Sequence, residues 1–241
     1  MANRRPSLKI CGLTRVADIR CAEAAGADFC GLIVEIERSP RCVSRGQAAL
    51  LARACRARPV LVVESMPPEE IAALVVATGA HAVQLHGGDG AYVRQVAEAL
   101  GRERSPAPAN DRTPVPAAVI WRPIGLPERT DDREALVERT LAQIEAALDA
   151  GATAIVLDTR TCDGTGGSGR TCDWETAAEI VRRTDAPVIL AGGLGPENLR
   201  EALEATGAAG VDLSSSLEAA PGRKAPLRLR ELARVWRELP R

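Results

Sequence analysis

Eight strand-length apolar runs recur along this 241-residue chain, at 7–11, 28–35, 59–64, 81–86, 117–122, 153–158, 187–191 and 210–214. A segment with helical spacing follows each of them: 15–25, 44–57, 68–78, 90–101, 131–149, 173–184, 196–206 and 225–238. In the second of these, Ala48, Leu51, Ala52 and Cys55 fall on one face. Helix starts are marked at 67–70 and 195–198, where Pro sits in the first turn and Glu complements the helix dipole, and glycine marks helix ends at Gly26, Gly79, Gly151 and Gly207. Strands and helices in strict alternation imply parallel strands joined by right-handed crossovers, and eight such units close most economically into a barrel. The chain is therefore expected to be α/β, a single (β/α)8 TIM barrel spanning residues 1–241 as one domain, close to the ~250 residues typical of that architecture. An open doubly wound sheet is the alternative, but no G-x-G-x-x-G follows the first strand. The irregular stretch 101–116 reads as a surface loop on the rim away from the chemistry; as a domain linker it would leave too few units on either side to bury a core.

Charge and composition exclude several classes of function. With 31 basic and 32 acidic residues the formal charge is −1, so there is no field to steer nucleic acid or an anionic membrane, and neither partner is expected. No apolar run approaches the ~18 residues of a membrane span, and the first residues lead straight into a strand rather than a signal-peptide core, so a soluble, cytoplasmic protein is expected. Seven cysteines without a secretion signal read as reduced thiols, and no two are spaced C-x-x-C. His81 and His86 are the only histidines, which nearly removes histidine-rich metal sites and Ser–His triads. Acid–base chemistry must then rest mainly on Cys, Asp, Glu or Lys. Phe29, Tyr92, Trp121, Trp174 and Trp236 are the whole aromatic set, so the core must be aliphatic.

In a parallel barrel, whatever follows the strands gathers on one rim. Alternation in the first strand puts Leu8 and Ile10 against the helices and turns Lys9 and Cys11 inward. Cys11 at the mouth can act as a base if backbone N–H groups or a cation such as Lys9 favour its thiolate; otherwise it is one more small buried residue. Cys21, Cys30, Cys42, Cys55, Cys162 and Cys172 keep that second reading. Asp158 ends the sixth strand on the inward face and can be a general acid if burial raises its pKa, or simply cap the next loop. That loop, 164–169, is rich enough in glycine to close over a ligand. Gly192 and Gly193 end the seventh strand, and Ser214, Ser215 and Ser216 the eighth; together they suit a phosphate. Arg41 can fork onto a carboxylate or lie solvated in its loop, and Gln84 and His86 can bond a substrate or each other.

Taken in order, KICGLT at 9–14, SPRCVS at 39–44, VQLHG at 83–87, LDT at 157–159 followed by GGSG and by Asp173-Trp174, LAGGLGPEN at 190–198 and VDLSS at 211–215 resemble the phosphoribosylanthranilate isomerase family of tryptophan biosynthesis. The resemblance covers nearly the whole chain. It implies a (β/α)8 fold and an Amadori rearrangement of N-(5′-phosphoribosyl)anthranilate without metal or organic cofactor. Asp158 would match the acid that opens the furanose ring and Cys11 the base that takes the C2′ proton. Arg41 would hold the anthranilate carboxylate, Asp212 would help orient the substrate, and the loops at Gly192, Gly193, Ser214 and Ser215 would hold the phosphate. Partners are then limited to a small phosphorylated substrate, with monomer and homodimer both compatible with the surface. Three places depart from the family pattern: the second strand at 31–35, where aromatic residues are usual and where Glu35 near the mouth would repel a carboxylate unless it points away; Ser216 in place of Gly; and Ser168 in place of Thr. Two other readings remain at this stage. One is another phosphosugar barrel, although the paired aspartates with metal-binding histidines of an epimerase and the late inward lysine of an aldolase are not evident. The other is a ligand-binding protein that kept the barrel without turnover.

Overall fold

The computed structural model describes residues 5–102, 118–128, 130–160 and 173–239. Eight parallel strands form the barrel: β1 Ser7–Ile10, β2 Phe29–Val34, β3 Arg58–Glu64, β4 Ala82–His86, β5 Val119–Pro127, β6 Ala152–Arg160, β7 Val188–Ala191 and β8 Gly210–Leu213. They alternate with α1 Val16–Ala24, α2 Arg45–Ala54, α3 Pro68–Thr78, α4 Gly90–Arg102, α5 Arg133–Asp149, α6 Trp174–Arg183, α7 Leu199–Thr206 and α8 Pro226–Arg237. Each strand pairs with its sequence neighbours, and β1 pairs with both β2 and β8, so the sheet closes on itself. The expected (β/α)8 barrel is the observed one. The stretch 103–116 and the glycine-rich segment 164–169, with Cys162, Ser168 and Cys172, lie outside the described residues.

Local chemistry explains most of the boundaries. Ser44 caps α2 in a reciprocal box, taking the Gln47 N–H on its hydroxyl while its own N–H reaches the Gln47 side chain. Asp173 caps α6, and Pro68 opens α3 with Glu69 and Glu70 in its first turn. Three boundaries differ most from the sequence reading. The helix expected to run to 57 ends at Ala54, because Cys55 is already extended and so lies off the helical face it was given. The helix expected from 196 begins at Leu199, because the Asn198 side chain accepts the Gly195 N–H at 2.8 Å and donates to the Gly193 carbonyl at 3.0 Å, holding 195–198 as a turn. The strand expected to stop at 122 runs on through Pro123 to Pro127. Beyond Trp121 it pairs only with β6, so neither proline has to donate to β4. Two small additions were also unforeseen: Cys42–Val43 pairs beside the end of β2, and a 3₁₀ turn with a short antiparallel hairpin, Glu218–Ala220 with Arg223–Lys224, is inserted between β8 and α8.

Inward and outward residues sort as alternation requires. Leu8, Ile10, Leu32, Leu61, Leu85, Leu157 and Leu190 face the helices in the large outer core. Phe29, Val60, Ala82, Trp121, Ala154, Val156, Ile189 and Ala191 fill the barrel interior, where Phe29 meets Trp121 edge-on at 4.8 Å between centroids. This plug leaves the polar inward positions of β1, β4, β6 and β8 to the opposite, C-terminal end. Phe29→Ala should lower unfolding stability in urea by about 3–5 kcal/mol, the cost of a void the closed sheet cannot collapse into; a loss below about 1 kcal/mol would mean the interior relaxes around the gap.

Candidate active site

Lys9, Cys11 and Asp212 come together because β1 and β8 are neighbours, with Lys9 and Asp212 in direct register. The Lys9 ammonium, almost wholly buried, is paired with Asp212 and is electrostatically coupled to the Cys11 thiol. Burial alone would push the Lys9 pKa down, but the charges of Asp212 and Cys11 outweigh it and hold it above the ordinary lysine value. For Cys11 the balance is opposite: burial pushes the thiol pKa up, against the pull of Lys9 toward the thiolate. Gly31 of β2 makes room for that thiol, since a Cβ there would lie 2.7 Å from Cys11 Sγ. Asp158 stands half-buried near the C-terminal end of β6, in register with Gly125 and Ala191. It lies two residues beyond Val156 of the interior cluster and so on the same face of the strand.

Gln84 and His86 line the inward face of β4. The Gln84 amide nitrogen lies 3.1 Å from His86 Nε2, a contact in which the ring accepts when its proton is on Nδ1. Burial, reinforced by the charge on Lys9, pushes the His86 pKa down to about 4, so the ring is neutral near pH 7. The buried Gln84 Oε1 has no hydrogen-bond partner among the described residues, and neither does Asp212 Oδ1. Two acceptors are therefore open inside the barrel, suited to hydroxyl donors.

Arg41 lies across the rim over Gly12. A Cβ at Gly12 would sit 2.4 Å from Arg41 Cδ, and the left-handed φ of +71° also favours glycine. The guanidinium is not solvated: its Nε and Nη2 fork onto Glu218 at 2.8 and 2.7 Å. Glu218 in turn accepts the buried Lys224 ammonium at 3.0 Å. Lys224 also donates to the Ser214 carbonyl at 3.0 Å, while the Ser214 hydroxyl donates to the Cys11 carbonyl at 3.2 Å. The hairpin thus ties Arg41 to the strand that carries the thiol.

At the remaining corner Gly192 and Gly193 turn with φ of 88° and 63°. Thr159 packs so closely on Gly192 that a Cβ would come within 2.6 Å of its backbone nitrogen. Ser215 opens the 3₁₀ turn Ser215–Leu217 beside them. The Ser216 hydroxyl donates to the Leu194 carbonyl, so this departure from the family pattern joins the two loops. Glu35 likewise takes no place at the mouth: it follows the last residue of β2 with a left-handed φ of 53° and pairs with Arg45 of α2, which also holds Glu70 of α3. The carboxylate that does end an inward row is Glu64 of β3, forked by Arg38. The sequence reading did not name it, although the inward Val60 and Val62 carry its signal. Glu218 and Lys224 were missed as well, and two short polar strands gave nothing to find them by.

The description "N-(5'phosphoribosyl)anthranilate (PRA) isomerase" belongs to a family model that matches residues 8–110 and 132–234. The N-(5'-phosphoribosyl)anthranilate isomerase of Methanopyrus kandleri is 35% identical over 236 residues, 96% of this chain and 99% of that one. Among solved structures, phosphoribosyl anthranilate isomerase from Thermotoga maritima superposes with a TM-score of 0.76 at 27% identity, covering 97% of this chain and 100% of its own. Another phosphoribosyl anthranilate isomerase, in complex with reduced 1-(o-carboxyphenylamino)-1-deoxyribulose 5-phosphate, gives 0.73 at 24% identity with the same coverage, a likeness of fold alone.

The depressed His86 pKa has a stability consequence. Its folded value, about 4, lies below the unfolded value of about 6.5, so the contribution is complete above pH 6.5 and is lost as pH falls toward 4. Urea titrations across that window should show a loss of about 3 kcal/mol that His86→Gln lacks. Parallel pH curves for the two proteins would contradict the neutral ring.

Proposed function

The chain belongs to the N-(5′-phosphoribosyl)anthranilate isomerase family, and on that premise we propose that it converts N-(5′-phosphoribosyl)anthranilate to 1-(2-carboxyphenylamino)-1-deoxyribulose 5-phosphate, a step of tryptophan biosynthesis. The observation that carries the reading is the buried Lys9–Asp212 pair with the Cys11 thiol on the same inward row of β1, where the Lys9 charge draws it toward the thiolate. Asp158 gives a proton to the furanose ring oxygen as the C1′–O bond breaks, leaving a Schiff base between C1′ and the anthranilate nitrogen. The Cys11 thiolate, stabilised by Lys9, removes the C2′ proton to form the enolamine, which tautomerises to the ketone as C1′ gains a proton. Atoms are conserved throughout and no redox partner is needed.

The remaining groups bind. Glu218 occupies the Nε and Nη2 side of Arg41, which leaves the outer edge, Nη1 and the second Nη2 proton, for the substrate carboxylate. Gln84, His86 and Asp212 face the ribose hydroxyls with their open acceptors and the His86 Nδ1 proton. The phosphate sits against the backbone at Gly192, Gly193, Ser214 and Ser215, the Ser214 hydroxyl being already engaged with Cys11.

Decay of anthranilate-type fluorescence when the protein is added to freshly generated substrate is the direct test. Cys11→Ala should reduce kcat by about 10²–10⁴-fold, with inorganic phosphate bound as before, and Asp158→Asn should fail at ring opening by a similar factor. Full activity in Cys11→Ala would end the base assignment, and full activity in Asp158→Asn would reassign the acid. Because burial raises the thiol pKa, kcat/KM should still be climbing with pH at the ordinary thiol range of about 8.5, and Lys9→Met should move the rise to higher pH. A wild-type protein without turnover that still binds phosphate compounds would redirect the reading to another phosphorylated ligand.

A further inference from the structure

Lys224 takes no part in the chemistry above, yet its side chain is fully buried. Its ammonium donates to the Ser214 carbonyl and to Glu218 Oε1, both at 3.0 Å. Glu218 accepts from Arg41 through both carboxylate oxygens at the same time. The cluster therefore holds two cations and one anion, and without Lys224 it would be a neutral Arg–Glu pair. A buried unit of excess charge is unfavourable until a counter-charge arrives. The open outer edge of the Arg41 guanidinium is where an anion can reach it.

We propose that Lys224 is a positioning residue for substrate recognition: by offsetting Glu218 from behind, its ammonium lets Arg41 meet an aryl carboxylate with a full positive charge, while Glu218 keeps the guanidinium aimed. The inference rests on the reading that Arg41 receives the substrate carboxylate. It concerns selection of a carboxylated substrate; because the Lys224 charge also draws the Cys11 thiol toward its thiolate, the inference is read from ligand binding and not from turnover. The same geometry explains why a carboxylate can stand so close to an anion subsite without closing it. Lys224 and Arg41 approach Glu218 from two sides, so that Arg41 is held at one edge and remains open at the other.

The test is fluorescence titration of two ligands, reduced 1-(o-carboxyphenylamino)-1-deoxyribulose 5-phosphate and its anilino counterpart without the carboxylate, against wild type and four variants. Lys224→Met should weaken the carboxylated ligand about tenfold or more and leave the anilino ligand unchanged. Glu218→Gln, which raises the net charge, should tighten the carboxylated ligand. The double variant Lys224→Met/Glu218→Gln restores the original charge and should return its Kd to within about threefold of wild type. A merely structural role would weaken both ligands in every variant. Arg41→Gln separates the two levels of the argument: if it does not affect the preference for the carboxylated ligand, the Arg41 reading fails and this proposal with it. If Arg41→Gln abolishes the preference while Lys224→Met leaves it intact, the Lys224 proposal alone is overturned. Should Lys224→Met not fold, Glu218→Gln decides, since equal or weaker binding of the carboxylated ligand there overturns the proposal.

Discussion

Inside the barrel an ammonium and a carboxylate, both taken out of water, join the first strand to the last across 203 residues of sequence. Neither charge is tolerable there alone, so the pair does more than add an attraction: it makes the wrong closure expensive. Lys9 and Asp212 are register neighbours, and a slip of one residue in either strand would turn its inward row to the helices and bury a charge in aliphatic side chains. Cys11 faces the mouth only because this register holds. The Cys11 N–H bonded to the Leu213 carbonyl and the Ser214 hydroxyl bonded to the Cys11 carbonyl continue the seam beyond the last paired residues.

The mouth is built so that its own carboxylates do not compete with an anionic ligand. Asp212 is matched by Lys9, Glu64 by Arg38, and Glu218 by both Arg41 and Lys224. His86 adds hydrogen-bonding capacity without charge near pH 7, since burial and Lys9 keep it neutral. Glu35, the one acidic residue whose position in the sequence suggested repulsion, is paired outward with Arg45.

How far the sequence could be read depended on the kind of signal each element carries. The eight strands and eight helices were legible because apolar runs, prolines and capping residues agree with one another at almost every boundary. The start of α7 was misplaced because Asn198 competes for backbone groups that a helix would have used. Alternation put Lys9, Cys11, Gln84, His86 and Asp158 on inward faces, because a period of two survives as long as the strand does. Glu35, which the sequence left free to point away from the mouth, does so because a left-handed residue just past β2 breaks the period. Lys224 was invisible for a different reason: in a polar stretch a lysine reads as solvated, and only the fold of the hairpin over β8 buries it. The charge environment of Arg41 belongs to that same tertiary contact. Its loop could be placed from sequence, but its partner, 177 residues away, could not.

The seam between β1 and β8 also has a consequence during synthesis. The lysine leaves the ribosome 203 residues before Asp212, with Cys11 two residues behind it and Glu218 and Lys224 later than Asp212. At about 5–20 residues per second, the 203-residue gap between Lys9 and Asp212 is on the order of 10–40 s. Until β8 is made, β1 lacks one of its two strand neighbours and Lys9 lacks its buried counter-charge. The eighth barrel strand therefore completes the shelter of the first.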